Sequence, residues 1–347
     1  MFREIPTIFE LEMEVTSRCN ERCIHCYIPH ESKLFDIDKE LAFDIMDQLK
    51  ELNTLGITMT GGEPFLHQDI FDFLHYARKN DLQITILSNV TTLESDKIDE
   101  LKKINVNQIQ ISLYSLKPDE HDSITEVAGS QKRTMANIER LLESDIPIQI
   151  SCPVMRLNKN SYKNVLKWAL DNKVRAHTDF VMMAKTNYDT SNLKNRLNLY
   201  EVRQLIKEII LYDEGYQAEL KLKKNEVSLD KIKNQPVCGA GTNFLCITAD
   251  GNLYPCAGWQ GYTLGNVNKK KLKDIWVNSE KLNYLRKINK SQFPQCLECE
   301  SIDYCSLCFV RNFNENNGDM FKVNEHFCSV AKLNRELAES YKSELSL

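Results

Sequence analysis

Apolar and polar residues alternate over Phe9-Glu-Leu11-Glu-Met13-Glu-Val15, and this period of two predicts a strand with one buried face. The period then lengthens. Asp38 precedes Leu41, Ile45, Leu49 and Leu52, spaced three or four apart, and Gly56 follows as a stop, the signature of a capped helix. The two periods take turns through the next 150 residues or so. Strands are expected at Ile57-Thr-Met-Thr, Gln83-Ile-Thr-Ile-Leu-Ser, Gln108-Ile-Gln-Ile-Ser-Leu, Ile148-Gln-Ile-Ser-Cys152 and His177-Thr-Asp-Phe-Val-Met. Helices are expected near 70–78, from Ser95, and near 134–143, 162–172 and 200–212. Alternation of this kind implies parallel strands joined by right-handed crossovers, and six units rather than eight imply an incomplete (β/α)6 barrel. Ligands of such folds gather at the C-terminal ends of the strands.

Composition narrows the class. A chain of 347 residues is long for one core, so an appendage is expected. Net charge is −5 with an isoelectric point of 5.9, which gives no basic field for nucleic acid. No apolar run reaches the roughly 20 residues of a membrane span, and Met1-Phe-Arg-Glu-Ile-Pro lacks the apolar centre of a signal peptide, so the expected location is cytoplasmic. Twelve cysteines in such a chain point to metal ligation rather than disulfides. Three fall at Cys19, Cys23 and Cys26, one stands alone at Cys152, and eight lie between Cys238 and Cys328.

The triplet Cys19-Asn-Glu-Arg-Cys23-Ile-His-Cys26-Tyr27 follows the first strand directly. Three thiolates at this spacing can hold three irons of a 4Fe–4S cluster and leave the fourth open to a small chelating molecule. Gly61-Gly62-Glu63-Pro64 follows the second strand, where two glycines free the backbone for close approach and the carbonyls and Glu63 can accept hydrogen bonds. Together these motifs resemble the radical S-adenosylmethionine (SAM) superfamily. The resemblance implies a partial TIM-like (β/α)6 barrel in which the amino and carboxylate groups of SAM chelate the open iron. It also implies SAM contacts from Tyr27, Gly61, Gly62, Glu63, Pro64, Ser88, Asn89 and Ser112. His25 is expected to shield the cluster edge. One departure is His121-Asp-Ser-Ile-Thr125, where many relatives carry an Arg at the fifth position. Arg133 is not assignable to that role from sequence.

In the C-terminal third, Gly251-x4-Cys256 follows Cys238 and Cys246, and Cys296-x2-Cys299-x5-Cys305-x2-Cys308 precedes Cys328. This pattern resembles the SPASM extension, a small Cys-rich α+β unit with two auxiliary 4Fe–4S clusters. Carried over by position, Cys238, Cys246, Cys256 and Cys308 bind the inner cluster, and Cys296, Cys299, Cys305 and Cys328 the distal one. The x2 spacing before Cys308 departs from the usual x3. Structural zinc is the competing reading, although paired CxxC knuckles in zinc ribbons stand about 15–20 residues apart rather than five. Gly265-Asn266-Val267 and Leu272-Lys-Asp-Ile-Trp276 resemble the family's packing linker, with Trp276 in the core. The expected divisions are a barrel at 1–215, a linker at 216–237, the extension at 238–335 and a helical tail at 336–347. The basic stretch Lys221-Leu-Lys-Lys and Lys231-Ile-Lys reads as a solvated face.

Within the family, sulfatase maturases carry an Asp immediately after the Cys of the Gly-x4-Cys step; here that position is Ala257. The remaining resemblance is to maturases of ribosomally made precursor peptides. The expected reaction is hydrogen abstraction by a 5′-deoxyadenosyl radical and formation of a cross-link, a thioether first or a carbon–carbon bond. The expected cofactors are SAM and three 4Fe–4S clusters, and the expected partners are the peptide, a flavodoxin or ferredoxin donor, and a separate leader-binding protein. Alternatives are a SPASM maturase of a protein residue and a peptide epimerase with Cys152 returning the hydrogen atom, against the plainer reading of Cys152 as a small buried hydrophobe. An alternative of another class is a non-catalytic multi-cluster electron carrier.

Overall fold

The computed structural model describes residues 7–30, 34–212, 216–217 and 233–345; the basic stretch at 221–224 and 231, and most of the expected linker, lie outside the described residues. Six parallel strands run side by side in chain order: β1 (Glu10–Thr16), β2 (Gly56–Gly61), β3 (Gln83–Ser88), β4 (Gln108–Ser112), β5 (Ile148–Ser151) and β6 (Arg175–His177). Between them run α1 (Lys39–Glu51), α2 (Ile70–Lys79), α3 (Ile98–Ile104), α4 (Pro118–Thr125), α5 (Ser130–Glu143) and α6 (Tyr162–Asp171), and α7 (Leu199–Tyr212) follows β6. The sheet ends at β6 rather than returning to its start, so the barrel is open.

The sequence pattern explains which face is which. Leu11, Met13 and Val15 of β1 and the isoleucines of β2 to β5 share one core with Ile45 and Leu49 of α1 and Phe73 of α2. Each such side chain contributes about 1.5–3 kcal/mol by leaving water. The other parity is polar: Glu10, Glu12 and Glu14 on β1 lie in register beside Gly56, Thr58 and Thr60, and Gln108 of β4 bonds Gln149 of β5 at 2.6 Å across the same face. Ordinary parallel strands are apolar on both faces. Here the concave side is a polar lumen.

Two elements differ from the sequence reading. β6 stops at His177 because Asp179 Oδ1 accepts the Val181 N–H at 2.9 Å, an Asx turn that bends the chain away. α4 has no strong apolar period, its buried positions being His121, Ile124 and Thr125, and Pro118 in its first turn marks where it begins.

The Cys-rich extension continues the sheet. β7 (Phe244–Ile247) pairs parallel to the free edge of β1, and β8 (Asn252–Tyr254) and β9 (Gly265–Asn266) follow antiparallel. Gly251 holds a φ of +82° at the turn, where a Cβ would lie 2.1 Å from Asn268 Nδ2. The helix Leu272–Asn278 docks on α1 through the Lys273 N–H to Gln48 Oε1, 3.1 Å, and buries Trp276. The last helix runs unbroken from Glu325 to Leu345, so Cys328 and the expected tail share one element.

Candidate active site and cysteine clusters

The loop leaving β1 carries Cys19, Cys23 and Cys26 to the C-terminal end of the barrel, where they line a cavity of about 680 Å³. Two glycines make the arrangement possible. Gly61 has a φ of +140°, and a Cβ there would lie 2.1 Å from the Thr16 carbonyl; a Cβ on Gly62 would lie 2.1 Å from that of Arg18 and 2.8 Å from Cys19 Cβ. The Gly62 N–H donates to Thr16 O and the Glu63 N–H to Arg18 O, both at 2.8 Å. The glycines thus serve close approach of the chain to itself, clamping the cysteine loop on the end of β2. Arg18 completes the clamp through Asp36, 2.6 Å, and the Leu66 carbonyl, 3.2 Å.

Tyr27, Gly61, Gly62, Ser88, Asn89 and Ser112 line this cavity. Glu63 and Pro64 are not on its wall. Glu63 is fully buried, and its carboxylate accepts from Ser88 Oγ at 2.7 Å, the Asn89 N–H at 2.8 Å and the Phe65 N–H at 3.2 Å. It braces the end of β3 against the glycine turn, and burial pushes it up to about 7. Ser88 is likewise occupied, its Oγ also accepting the Val90 N–H at 2.8 Å.

Several wall residues escaped the sequence reading. Tyr114 follows Ser112 by two positions on the same face, and its hydroxyl sits 3.9 Å from Cys23 Sγ, with His25 packed edge-on against its ring. Period two alone would have found it. Asn20 ties the loop to β3 through Asn89, 3.0 Å, and Thr91, 2.7 Å. Glu14 faces the cavity with one oxygen held by Gln260 of the extension at 2.7 Å, and burial lifts its carboxyl to about 8. Glu21 is buried between the first two cysteines with Oε1 lacking a partner among the described residues.

Cys152 faces away from the cavity. Strand parity turns Ser151 to the lumen and Cys152 to the helix side, where it is 0% exposed, donates to the Tyr114 carbonyl at 3.7 Å and lies off the cavity. Burial pushes its thiol up to about 12.

The eight C-terminal cysteines fall into two groups. Cys238, Cys256 and Cys308 lie close enough to feel one another's charge, and Cys246 on β7 faces Cys256. Cys296, Cys299, Cys305 and Cys328 together line a second cavity of about 70 Å³. All twelve thiols are unpaired by disulfides. Among the described residues no three His, Cys, Asp or Glu side chains close on a single ion, whereas an iron–sulfur cube spaces its ligands more widely. The donor set fits such a cluster: soft thiols grouped in threes and fours, with open space beside the triplet and beside the distal quartet. Burial pushes Cys19 and Cys256 up to about 12, so ligation must displace their protons.

An open parallel barrel with a cysteine triplet behind its first strand, continued by a Cys-rich extension, defines a radical SAM protein. Residues 13–169 match the Radical SAM superfamily and residues 238–300 match SPASM, an iron–sulfur cluster-binding domain, so the chain carries a domain of each kind. It is similar to the AdoMet-dependent heme synthase of Methanosarcina barkeri, 23% identical over 86% of this chain and 90% of that one. It is also similar to the PqqA peptide cyclase of Gluconobacter oxydans, 26% identical over 83% and 81% respectively. The structure of Streptococcus suis SuiB bound to its precursor peptide SuiA superposes with a TM-score of 0.73 at 18% identity, covering 93% of this chain and 76% of that one, a likeness of fold. Among the described residues no helix is long and apolar enough to cross a membrane.

Proposed function

We propose that this protein cross-links a ribosomally made precursor peptide. In this reading Cys19, Cys23 and Cys26 hold a 4Fe–4S cluster whose fourth iron binds SAM, and Tyr27, Gly61, Gly62, Asn89 and Ser112 line the SAM pocket. Glu63 and Ser88 hold that pocket in shape. The two quartets hold auxiliary clusters, making three in all. When bound, the first cluster supplies the electron that splits SAM into methionine and a 5′-deoxyadenosyl radical. The chain's own residues orient the peptide in the polar lumen and exclude bulk water from the buried end.

The observation that carries the reading is the cavity of about 680 Å³ at the mouth of an open, polar barrel, with three thiols on its wall. The similarity to a peptide cyclase supports peptide as substrate. For a thioether, one hydrogen atom would leave the substrate carbon for 5′-deoxyadenosyl and the thiol proton would go to a base or water as the C–S bond forms; an auxiliary cluster held by either quartet would supply the acceptor for the one electron released. The burial of Cys152 disfavours an epimerase that would need it as hydrogen donor.

A second reading is oxidation of a tetrapyrrole, favoured by similarity to a heme synthase over 90% of that protein's length. The test is anaerobic reconstitution with iron, sulfide and SAM under a low-potential reductant, followed by co-expression with short peptide genes neighbouring its own. Release of 5′-deoxyadenosine with a peptide lighter by two hydrogens supports cross-linking. Deuterium uptake at unchanged mass indicates epimerisation, and turnover of an iron porphyrin with no peptide product supports the second reading. An absence of 5′-deoxyadenosine returns the chain to the electron-carrier class.

A further inference from the structure

One edge of the sheet is left without a partner strand among the described residues. β6 is the last strand on its side, and Arg175, Ala176 and His177 are all exposed. The carbonyls of His177 and Asp179 accept the N–H groups of Cys152 and Val154 at 2.9 and 2.6 Å. Alternation along the strand therefore turns the N–H and C=O of Ala176, and the C=O of Thr178, to the open side. Exposed edges are commonly blunted by charge or by a bend. Here the bend at Asp179 comes only after this donor and these acceptors, so a short template stays open.

The same edge is continuous with the cavity. Register places His177 beside Ser151 and Ser151 beside Ser112, a cavity-wall residue, and places Arg175 beside Gln149 on that polar face. Arg175, unlike Arg156 and His177, pairs with no carboxylate among the described residues. A guanidinium on the lumen face, next to open backbone groups, fits an extended chain that carries an acidic side chain opposite it. An iron porphyrin, the substrate class of the second reading, has no row of amides to pair there.

We propose that an extended acidic segment of the precursor peptide docks as an added strand on β6, bonding Ala176 through its backbone and Arg175 through an Asp or Glu side chain. The proposal rests on the reading that a peptide is the substrate. It also sets a distance. Ser112 lies on β4, so an added strand stands three strand spacings, roughly 14 Å, from the cavity wall, a span of about five extended residues. The cross-linked residue is therefore placed about five or more positions along the peptide from its docked acidic residue.

The test is hydrogen exchange and kinetics on the full-length reconstituted protein with the short peptides encoded beside its gene. Bound peptide is expected to slow exchange at the Ala176 amide about tenfold or more. Ala176→Pro removes that donor without removing a bond to β5, and an edge strand tolerates it. This variant is expected to keep the wild-type Tm and iron content and to raise KM about tenfold with kcat unchanged. Ala176→Gly, which keeps the N–H, is expected to retain the wild-type KM. Arg175→Glu is expected to raise KM likewise, and a peptide whose acidic residue is replaced by Lys restores it. Cross-linking by the Pro variant at a wild-type KM, or an Ala176 amide that bound peptide leaves unprotected, overturns the proposal and leaves the peptide reading intact. Protection that grows with protein concentration in the absence of peptide assigns the edge to a second copy of this chain and also overturns it. Wild-type protein that releases 5′-deoxyadenosine but alters none of the peptides removes both.

Discussion

At the scale of single residues, the glycine pair is the part of the site with least freedom. An added methyl at Gly62 would sit 2.1 Å from a backbone oxygen that the next residue's N–H already uses, so the cysteine loop must lift off β2. Gly62→Ala is expected to cost more than about 2 kcal/mol and to lower the iron content of the triplet site, read by thermal unfolding and by iron analysis of a protein lacking both quartets. Normal iron content would place the clamp outside the cluster's needs. Cys152→Ala is expected to leave 5′-deoxyadenosine release and the peptide product unchanged while costing about 1 kcal/mol, and loss of product alone would reinstate the thiol as a participant. Tyr27, in the cysteine loop, was legible from the motif, and Ser112, on the lumen parity of β4, from the period. Glu63 and Cys152 were not, because the motif names a residue without saying where its side chain is spent: three donors of its own chain occupy the one, and strand parity turns the other away.

At the scale of elements, period two identified the first five barrel strands because their aliphatic face and polar face are both consistent along each strand. It did not identify the union of β7 with β1. Phe244-Leu-Cys-Ile has no alternation, and a pairing across more than 220 residues leaves no local mark. The union matters physically, since without it β1, the strand that carries the cysteine loop, becomes an edge with unpaired backbone groups. A barrel truncated after residue 237 is therefore expected to associate through that edge. Size-exclusion chromatography should show oligomers or aggregate, with the monomer recovered only when the extension is present; a stable monomeric fragment would mean that β1 needs no partner. The Gly251 turn serves the same union, because its positive φ aims β8 back along β7 and brings Cys256 to face Cys246.

At the scale of the whole molecule, burial of ionisable groups gives metal-free and cluster-loaded protein opposite pH preferences. Burial lifts Glu14 to about 8 and Glu21 and Glu63 to about 7. An unfolded chain releases these protons near 4.5, so between there and pH 8 the folded state binds more protons and loses stability as pH rises. Burial lowers His25 and His121 to about 4. Below about 6.5 the unfolded chain takes up protons that the folded imidazoles refuse, so stability falls on further acidification. From pH 8 down to 6.5 the carboxylates outweigh the imidazoles, which in the unfolded chain are only half protonated at pH 6.5, and the metal-free protein is expected to have a higher Tm at pH 6.5 than at pH 8. The loaded protein must behave differently, because its ligands are thiols that burial has pushed up and that bind metal only after losing their protons. Acid therefore competes with iron, and clusters should bleach faster at pH 6.5 than at pH 8. Paired measurements, calorimetry of metal-free protein and the visible absorbance of loaded protein at both pH values under argon, should give slopes of opposite sign. Equal signs would mean either that the carboxylates are ionised in the folded chain or that the thiols do not carry the metal.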